Sequence, residues 1–247
     1  MVYKSITPEI RELRLIITES DQGVHLSTEH QKKIIDWSKD SAVLSGITVL
    51  KNSGSIIEGP NKDELLSVVD QKGNLCFNGD ENICFPRWLC HLLGIRHRCS
   101  HAVVVTYNNF IIFQRRSREK DVSPGALDIS VGGHVKDTCT YEDALLCEMY
   151  EELGIKRDDT LKITEICLYE NQFSDPEKNF YSIEARKVFE IQLKDSAFNK
   201  IKFVDKEVAG IYLCDLAEAK AVLRNETIAS GLKGTLPLYM GRKMQCN

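Results

Sequence analysis

Apolar positions along the chain follow two periods, and the switch between them marks the elements. Short apolar runs of strand length come first from residue 63 onward: DELLSVVDQKGN closes on a Lys-Gly-Asn turn, and HAVVVTY and FIIFQ meet at Asn108-Asn109, a hairpin turn. LDISV, LKITEICLYE, the alternating FYSIEARKVFEIQL and EVAGIYLC continue the series. Helical spacing interrupts it three times. PRWLCHLLG, residues 86–94, has Pro86 in its first turn and Gly94 at its end, and DLAEAKAVLRN closes the set. Between them, Thr140 and Asp143 form a capping-box pattern, Leu145, Leu146, Met149 and Leu153 recur on one side, and Gly154 supplies a stop, which predicts a helix over 141–153.

Upstream, TPEIRELRLIITES and STEHQKKIIDWSKDS predict two further helices, the second with Ser27 as cap and Ile34, Ile35 and Trp37 as its buried side. KNSGSIIEGPNK then has the composition of a linker. The expected organisation is an N-terminal extension over 1–60, mainly helical, a main domain over 61–225 and a C-terminal tail over 226–247, where no pattern is readable. A packing or homodimerisation role is the default for the extension. Strands before and after a central helix, with another helix closing the domain, predict an α/β fold: a mixed sheet sandwiched between helices.

Composition narrows the function. The 247 residues carry 32 basic and 36 acidic side chains, a net charge of −4, so no general attraction to a nucleic acid polymer or an anionic membrane is expected. No apolar run reaches the length of a membrane span, and MVYKSITPEIRELRL lacks a signal peptide's apolar core, so the expected location is cytoplasmic. Nine cysteines, none in a CxxC pair and several, such as Cys167 and Cys214, within apolar runs, predict reduced thiols and no disulfide framework.

Candidate chemistry concentrates on the 141–153 helix. At roughly 100° per residue, Glu148, Glu151 and Glu152 fall within one narrow arc while the leucines and Met149 gather elsewhere. Three like charges repel unless a cation neutralises them, and oxygen-only ligands select a hard ion such as Mg²⁺ or Mn²⁺. A bare EXXEE string is ordinarily a solvated face; here Gly-Ile follows it and a Gly-Gly loop precedes it at a fixed distance. Arg115, Arg116, Arg118 and Lys120 lie on the approach to this helix, a basic cluster that on its own is usually a solvated loop.

The stretch from Gly133 to Ile155 resembles the signature of the Nudix hydrolases. Gly133, Glu148, Met149, Glu151, Glu152, Gly154 and Ile155 occupy its places without insertion, whereas Cys139 stands for its first glutamate and Cys147 for its arginine. The arginine helps hold the glutamates in the family, so its loss bears on the rate; a redox-sensitive pair formed by the two cysteines is one reading of the exchange. The resemblance implies the Nudix α/β/α sandwich. It further implies metal ligation by Glu148, Glu151, Glu152 and the Gly133 carbonyl, phosphate binding by Arg116 and Lys120, and a base drawn from Glu152, Glu151 and Glu207. Arg116, Lys120, Pro124, Gly125, Gly133 and His134 are also similar to the subgroup related to isopentenyl-diphosphate isomerase. Gly132 stands where that subgroup has its cysteine, although Glu184 fits its later glutamate.

Cys84, Cys90, His91, His97, Cys99 and His101 cluster locally in no standard zinc spacing. His97 lies near a position resembling a metal-ligand histidine of the isomerases, and with His134 it is a candidate for a second metal site. The implied function is Mg²⁺-dependent hydrolysis of a diphosphate linkage in a nucleoside diphosphate derivative or another small organic diphosphate. Its rivals are an isomerase-like enzyme and a binding protein that has lost turnover.

Overall fold

Asp40 ends one helix and begins the next. It follows α1 (Thr28–Lys39) and precedes α2 (Ser41–Asn52), and its Oδ1 accepts the Val43 N–H at 3.0 Å, satisfying a donor that the first turn of α2 leaves open. The computed structural model describes residues 28–52, 64–78, 80–120, 122–225 and 227–245. The expected helix TPEIRELRLIITES, the Ser27 cap and all but the first two residues of the expected linker lie outside these.

The chain divides into two units, Met1–Arg98 with Glu170–Ala185, and Cys99–Tyr169 with Arg186–Asn247. In the first, Ile34 from α1 and Val43 and Ile47 from α2 are buried in one core with Leu66, Phe85, Leu89 and Leu93. Ile35 and Trp37 pack against it partly buried, so this part of the expected extension shares a core with the strands that follow. β1 (Leu65–Ser67) pairs antiparallel with β4 (Cys84–Pro86), and the short hairpin of β2 (Phe77–Asn78) and β3 (Glu81–Asn82) lies between them in sequence. The Lys-Gly-Asn turn forms as expected: Asp70 Oδ1 accepts the Lys72 and Asn74 N–H groups, and Gly73 takes a φ of 76°. α3 (Arg87–Leu93) starts after Pro86 and ends on Gly94 at φ 70°.

The large sheet has the strand order β11-β6-β5-β10-β9, with β7 beside β6 and β8 beside β5. These strands are β5 (His97–Val105), β6 (Ile111–Arg116), β7 (Leu127–Asp128), β8 (Val131–His134), β9 (Thr160–Asp175), β10 (Phe180–Leu193) and β11 (Val208–Cys214). The pairs β11/β6, β5/β6, β5/β8 and β6/β7 are antiparallel, and a parallel bridge joins Leu127 to Ile228. Asn109, at φ 65°, makes the turn between β5 and β6.

Strand alternation sends β5 side chains to two cores. Ala102 and Val104 join Ile112, Val131, Phe189 and Ile191 against Leu145, Met149 and Leu153 of α4 (Tyr141–Leu153). Val103 and Val105 join Phe113 and Leu127 against α5 (Leu216–Asn225) and α6 (Ser230–Gln245). Helices therefore cover both faces, the α/β/α sandwich expected. The stretch 226–247, expected as a tail, instead carries α6, whose Leu232, Leu236, Tyr239 and Met240 are buried. Among the described residues no helix is long and apolar enough to cross a membrane.

Candidate active site

The local sequence places the glutamates by fixing both ends of α4. Thr140 Oγ1 accepts the Asp143 N–H at 3.1 Å at the start. At the end, Gly154 turns left-handed at φ 69°, with its N–H on the Tyr150 carbonyl. A Cβ on Gly154 would lie 2.8 Å from the Lys202 carbonyl oxygen, so the chain at 202–205 closes directly on this end. Lys202 donates its N–H to Leu153 O, and Val204 and Asp205 donate theirs to Glu151 O.

Glu152 projects inward and is only 3% exposed. Its Oε1 accepts from Gln114 Nε2 and its Oε2 from the Gly132 N–H, both at 3.1 Å. Burial first, and the neighbouring Glu148 carboxylate second, push Glu152 well above the usual carboxylate range; Gln114, Gly132 and Lys120 pull the other way. Glu148 lies over Gly133, where an added Cβ would be 2.8 Å from its Cγ and nearer still to its carboxylate. Glu151 is exposed on the same helix.

Charge from two other segments converges here. Lys120 is ion-paired with Glu207. Asp205 Oδ1 accepts the Glu207 N–H at 2.9 Å, and burial, with the Glu207 and Glu151 charges, raises its pKa. Asp205 and Gln114 belong to the site although sequence reasoning passed over them: Asp205 lies in an aperiodic loop, and Gln114 reads only as the end of a strand. The donor set is all oxygen and strongly anionic, and the crowding that raises Glu152 is relieved by a divalent cation, so the residues present fit a hard metal ion.

The expected phosphate ligand Arg116 is engaged elsewhere. Its Nη1 donates to Asp128 Oδ2 at 3.0 Å, and its Nε and Nη2 donate to the Val122 carbonyl. Asp128 Oδ1 in turn accepts the Leu232 N–H at 3.0 Å in the first turn of α6. The Gly133 carbonyl accepts from the Cys99 thiol at 3.0 Å, and His134 stands opposite Cys99 in the β5/β8 ladder. His97 has its Nδ1 2.8 Å from Ile95 O and its ring edge-on to His91. Where the isomerase pattern has its cysteine, a Cβ on Gly132 would lie 2.8 Å from the His101 ring, so that space is filled from β5. Cys147 is exposed; burial, then the nearby Cys139, then Glu151 raise its thiol pKa.

Known proteins bear on this arrangement. The family model of the NUDIX domain matches residues 97–234. An uncharacterised Nudix hydrolase of Nostoc sp. is 30% identical over 144 residues, 58% of this chain and 78% of that protein. One of Yersinia pestis is 33% identical over 92 residues, 37% of this chain and 47% of that protein. A crystal structure of a Deinococcus radiodurans protein superposes with a TM-score of 0.51 at 22% identity, covering 72% of this chain and 98% of the other, a likeness of fold.

Proposed function

The chain belongs to the Nudix family of hydrolases acting on diphosphate bonds, and on that premise we propose that it cleaves a nucleoside diphosphate derivative or another small organic diphosphate with Mg²⁺ as its cation. The observation that carries this reading is the convergence of Glu148, Glu151, Glu152, Asp205 and Glu207 on one end of α4, with Glu152 buried among them. Such a concentration of like charge is costly unless a cation is bound. Glu148, Glu151 and Glu152 are its ligands in this account. A divalent ion bound there would polarise a phosphoryl oxygen and acidify water.

The chain's own groups do the rest. Glu152 has both oxygens engaged by Gln114 and Gly132, which suits a fixed ligand better than a proton carrier. The proton leaving the attacking water goes to Asp205, whose raised pKa favours acceptance nearer neutrality. Lys120, ion-paired with Glu207, offers its charge to the departing phosphate. Arg116 contributes by shaping the loop that carries Lys120, through Val122 and Asp128. One P–O bond to the bridging oxygen breaks and one P–O bond to water forms.

Support for the isomerase alternative is wanting, since the relatives above carry hydrolase names and His101 fills the space over Gly132. The test is release of phosphate or nucleoside monophosphate from dinucleotides, nucleoside diphosphate sugars, thiamine diphosphate and isopentenyl diphosphate, with and without Mg²⁺. Cleavage only with Mg²⁺ is expected. Conversion of isopentenyl diphosphate without phosphate release would favour the isomerase, and silence across the panel would favour a binding protein.

A further inference from the structure

The two glycines of β8 have different groups set against them. Gly133 faces Glu148, whereas a Cβ on Gly132 would lie 2.8 Å from Cδ2 and 2.9 Å from Nε2 of His101, its partner across the β5/β8 ladder. Successive strand residues point to opposite faces, so Glu148 and the His101 ring approach the same short backbone from its two sides. That backbone also supplies the Gly132 N–H to Glu152 Oε2. A shift of the His101 ring therefore moves the strand against which both carboxylates are set.

The ring is held from α6. A Cβ on Gly231, in the first turn of that helix, would come 3.0 Å from His101 Cε1, and Thr235 Oγ1, one turn further on, lies 3.2 Å from His101 Nδ1. Thr235 is buried, and its oxygen is also 3.2 Å from the Tyr169 hydroxyl, which accepts from Arg186 Nη1 at 2.9 Å. The direction of these bonds follows from what each group can do. Arginine only donates, so the Tyr169 hydrogen goes to Thr235 and the Thr235 hydrogen to His101 Nδ1. The three bonds run one way, reinforce one another and fix the ring with Nδ1 as acceptor. All four residues lie in the second of the two units. The hydrolytic chemistry above uses none of them.

On the premise of the metal-dependent hydrolase, we propose that Thr235 is a positioning residue for its carboxylate site. By orienting His101 it holds the β8 backbone, and with it Glu148 and Glu152, in the arrangement that takes the cation. A helix remote in sequence from the glutamates thus sets the strength of their metal site.

Mn²⁺ alone is the probe, its bound fraction read by electron paramagnetic resonance as it is titrated into the full-length protein and its Thr235→Val and Thr235→Ser variants. Valine keeps the shape of the side chain but cannot donate to Nδ1. Thr235→Val binds Mn²⁺ about tenfold more weakly and loses about tenfold in kcat, with KM for an accepted diphosphate unchanged, whereas Thr235→Ser stays within twofold of wild type in all three. A merely structural role would lower the unfolding temperature and leave metal affinity as it was. Tyr169→Phe removes the hydroxyl that donates to Thr235 from a half-buried strand position, and keeps the test open should Thr235→Val fail to fold; it weakens Mn²⁺ binding about threefold. Wild-type Mn²⁺ affinity in whichever of these two variants folds, or an equal loss in Thr235→Ser, would overturn the proposal. Failure of the wild type itself to bind Mn²⁺ at millimolar concentration would overturn the hydrolase reading, and this proposal with it.

Discussion

Replacing Gly133 by alanine should disable the enzyme while leaving the fold intact. The added Cβ would sit 2.8 Å from Glu148 Cγ, whereas carbon atoms in contact rest about 3.5–4.0 Å apart. Backbone retreat is restricted, since Gly133 is held opposite Ser100 in the β5/β8 register and its carbonyl is engaged by Cys99. The half-buried Glu148 side chain moves instead, by about 1 Å at Cγ and further at its carboxylate. A misplacement of about 1 Å at a catalytic group costs on the order of 100-fold in rate, which corresponds to about 2.7 kcal/mol of transition-state stabilisation. Because Glu148 can swing toward solvent, the loss of folding stability should stay below about 1 kcal/mol. Steady-state kinetics over a Mg²⁺ titration, with thermal unfolding alongside, measures both. Gly210→Ala is the control, as nothing lies within 4 Å of a Cβ there and neither quantity should change. A Gly133→Ala enzyme within threefold of wild type at every Mg²⁺ concentration would refute the placement of Glu148.

Further substitutions probe the surroundings. Gly154→Ala meets left-handed strain of about 1–2 kcal/mol and the Lys202 carbonyl as well, so thermal unfolding should show a loss of about 2–3 kcal/mol; Gly154→Asn should recover only the strain. Asp128→Ala leaves Arg116 without its carboxylate and the first turn of α6 without an acceptor, and urea unfolding should register about 3–5 kcal/mol. Glu152→Gln should reduce turnover by about 100- to 1,000-fold. It should also change the pH dependence of metal-free stability. The folded-state pKa of Glu152 is raised, so its ionisation costs the wild type stability as pH climbs above the ordinary carboxylate range, and the variant escapes that decline. Identical slopes for the two proteins between pH 5 and 8 would contradict the burial assigned to Glu152.

Much of this architecture was legible because local signals agreed with the fold. Thr140, the spacing of Leu145, Met149 and Leu153, and Gly154 all mark the same helix, and α4 spans Tyr141–Leu153. α6 was not legible. Leu232, Leu236, Tyr239 and Met240 do recur at helical spacing, but Pro237 sits inside the helix and Gly231, Gly234 and Gly241 interrupt the pattern. Buried packing on the sheet outweighs those weak propensities, and no local pattern reports it. α2 escaped for a related reason, as SAVLSGITVL mixes β-branched residues with glycine and reads like the approach to a linker.

At the site, the helix glutamates were readable because one helix presents them and spacing alone sets their arc. Groups brought from other segments were not. Asp205 depends on the 202–205 chain closing on α4, and the pairing of Arg116 with Asp128 depends on β6 lying beside β7. Nothing in the spacing of the basic residues reports that Asp128 lies within reach of Arg116 across the sheet.

The most direct single measurement is hydrolysis of an accepted diphosphate in oxygen-18 water, followed by phosphorus NMR of the products. The account predicts one solvent oxygen in one phosphate product per turnover, with Mg²⁺ required and Glu152→Gln nearly inactive. Product without solvent oxygen, or label appearing equally in the absence of a divalent cation, would contradict the carboxylate cluster as the centre of a metal-dependent hydrolase.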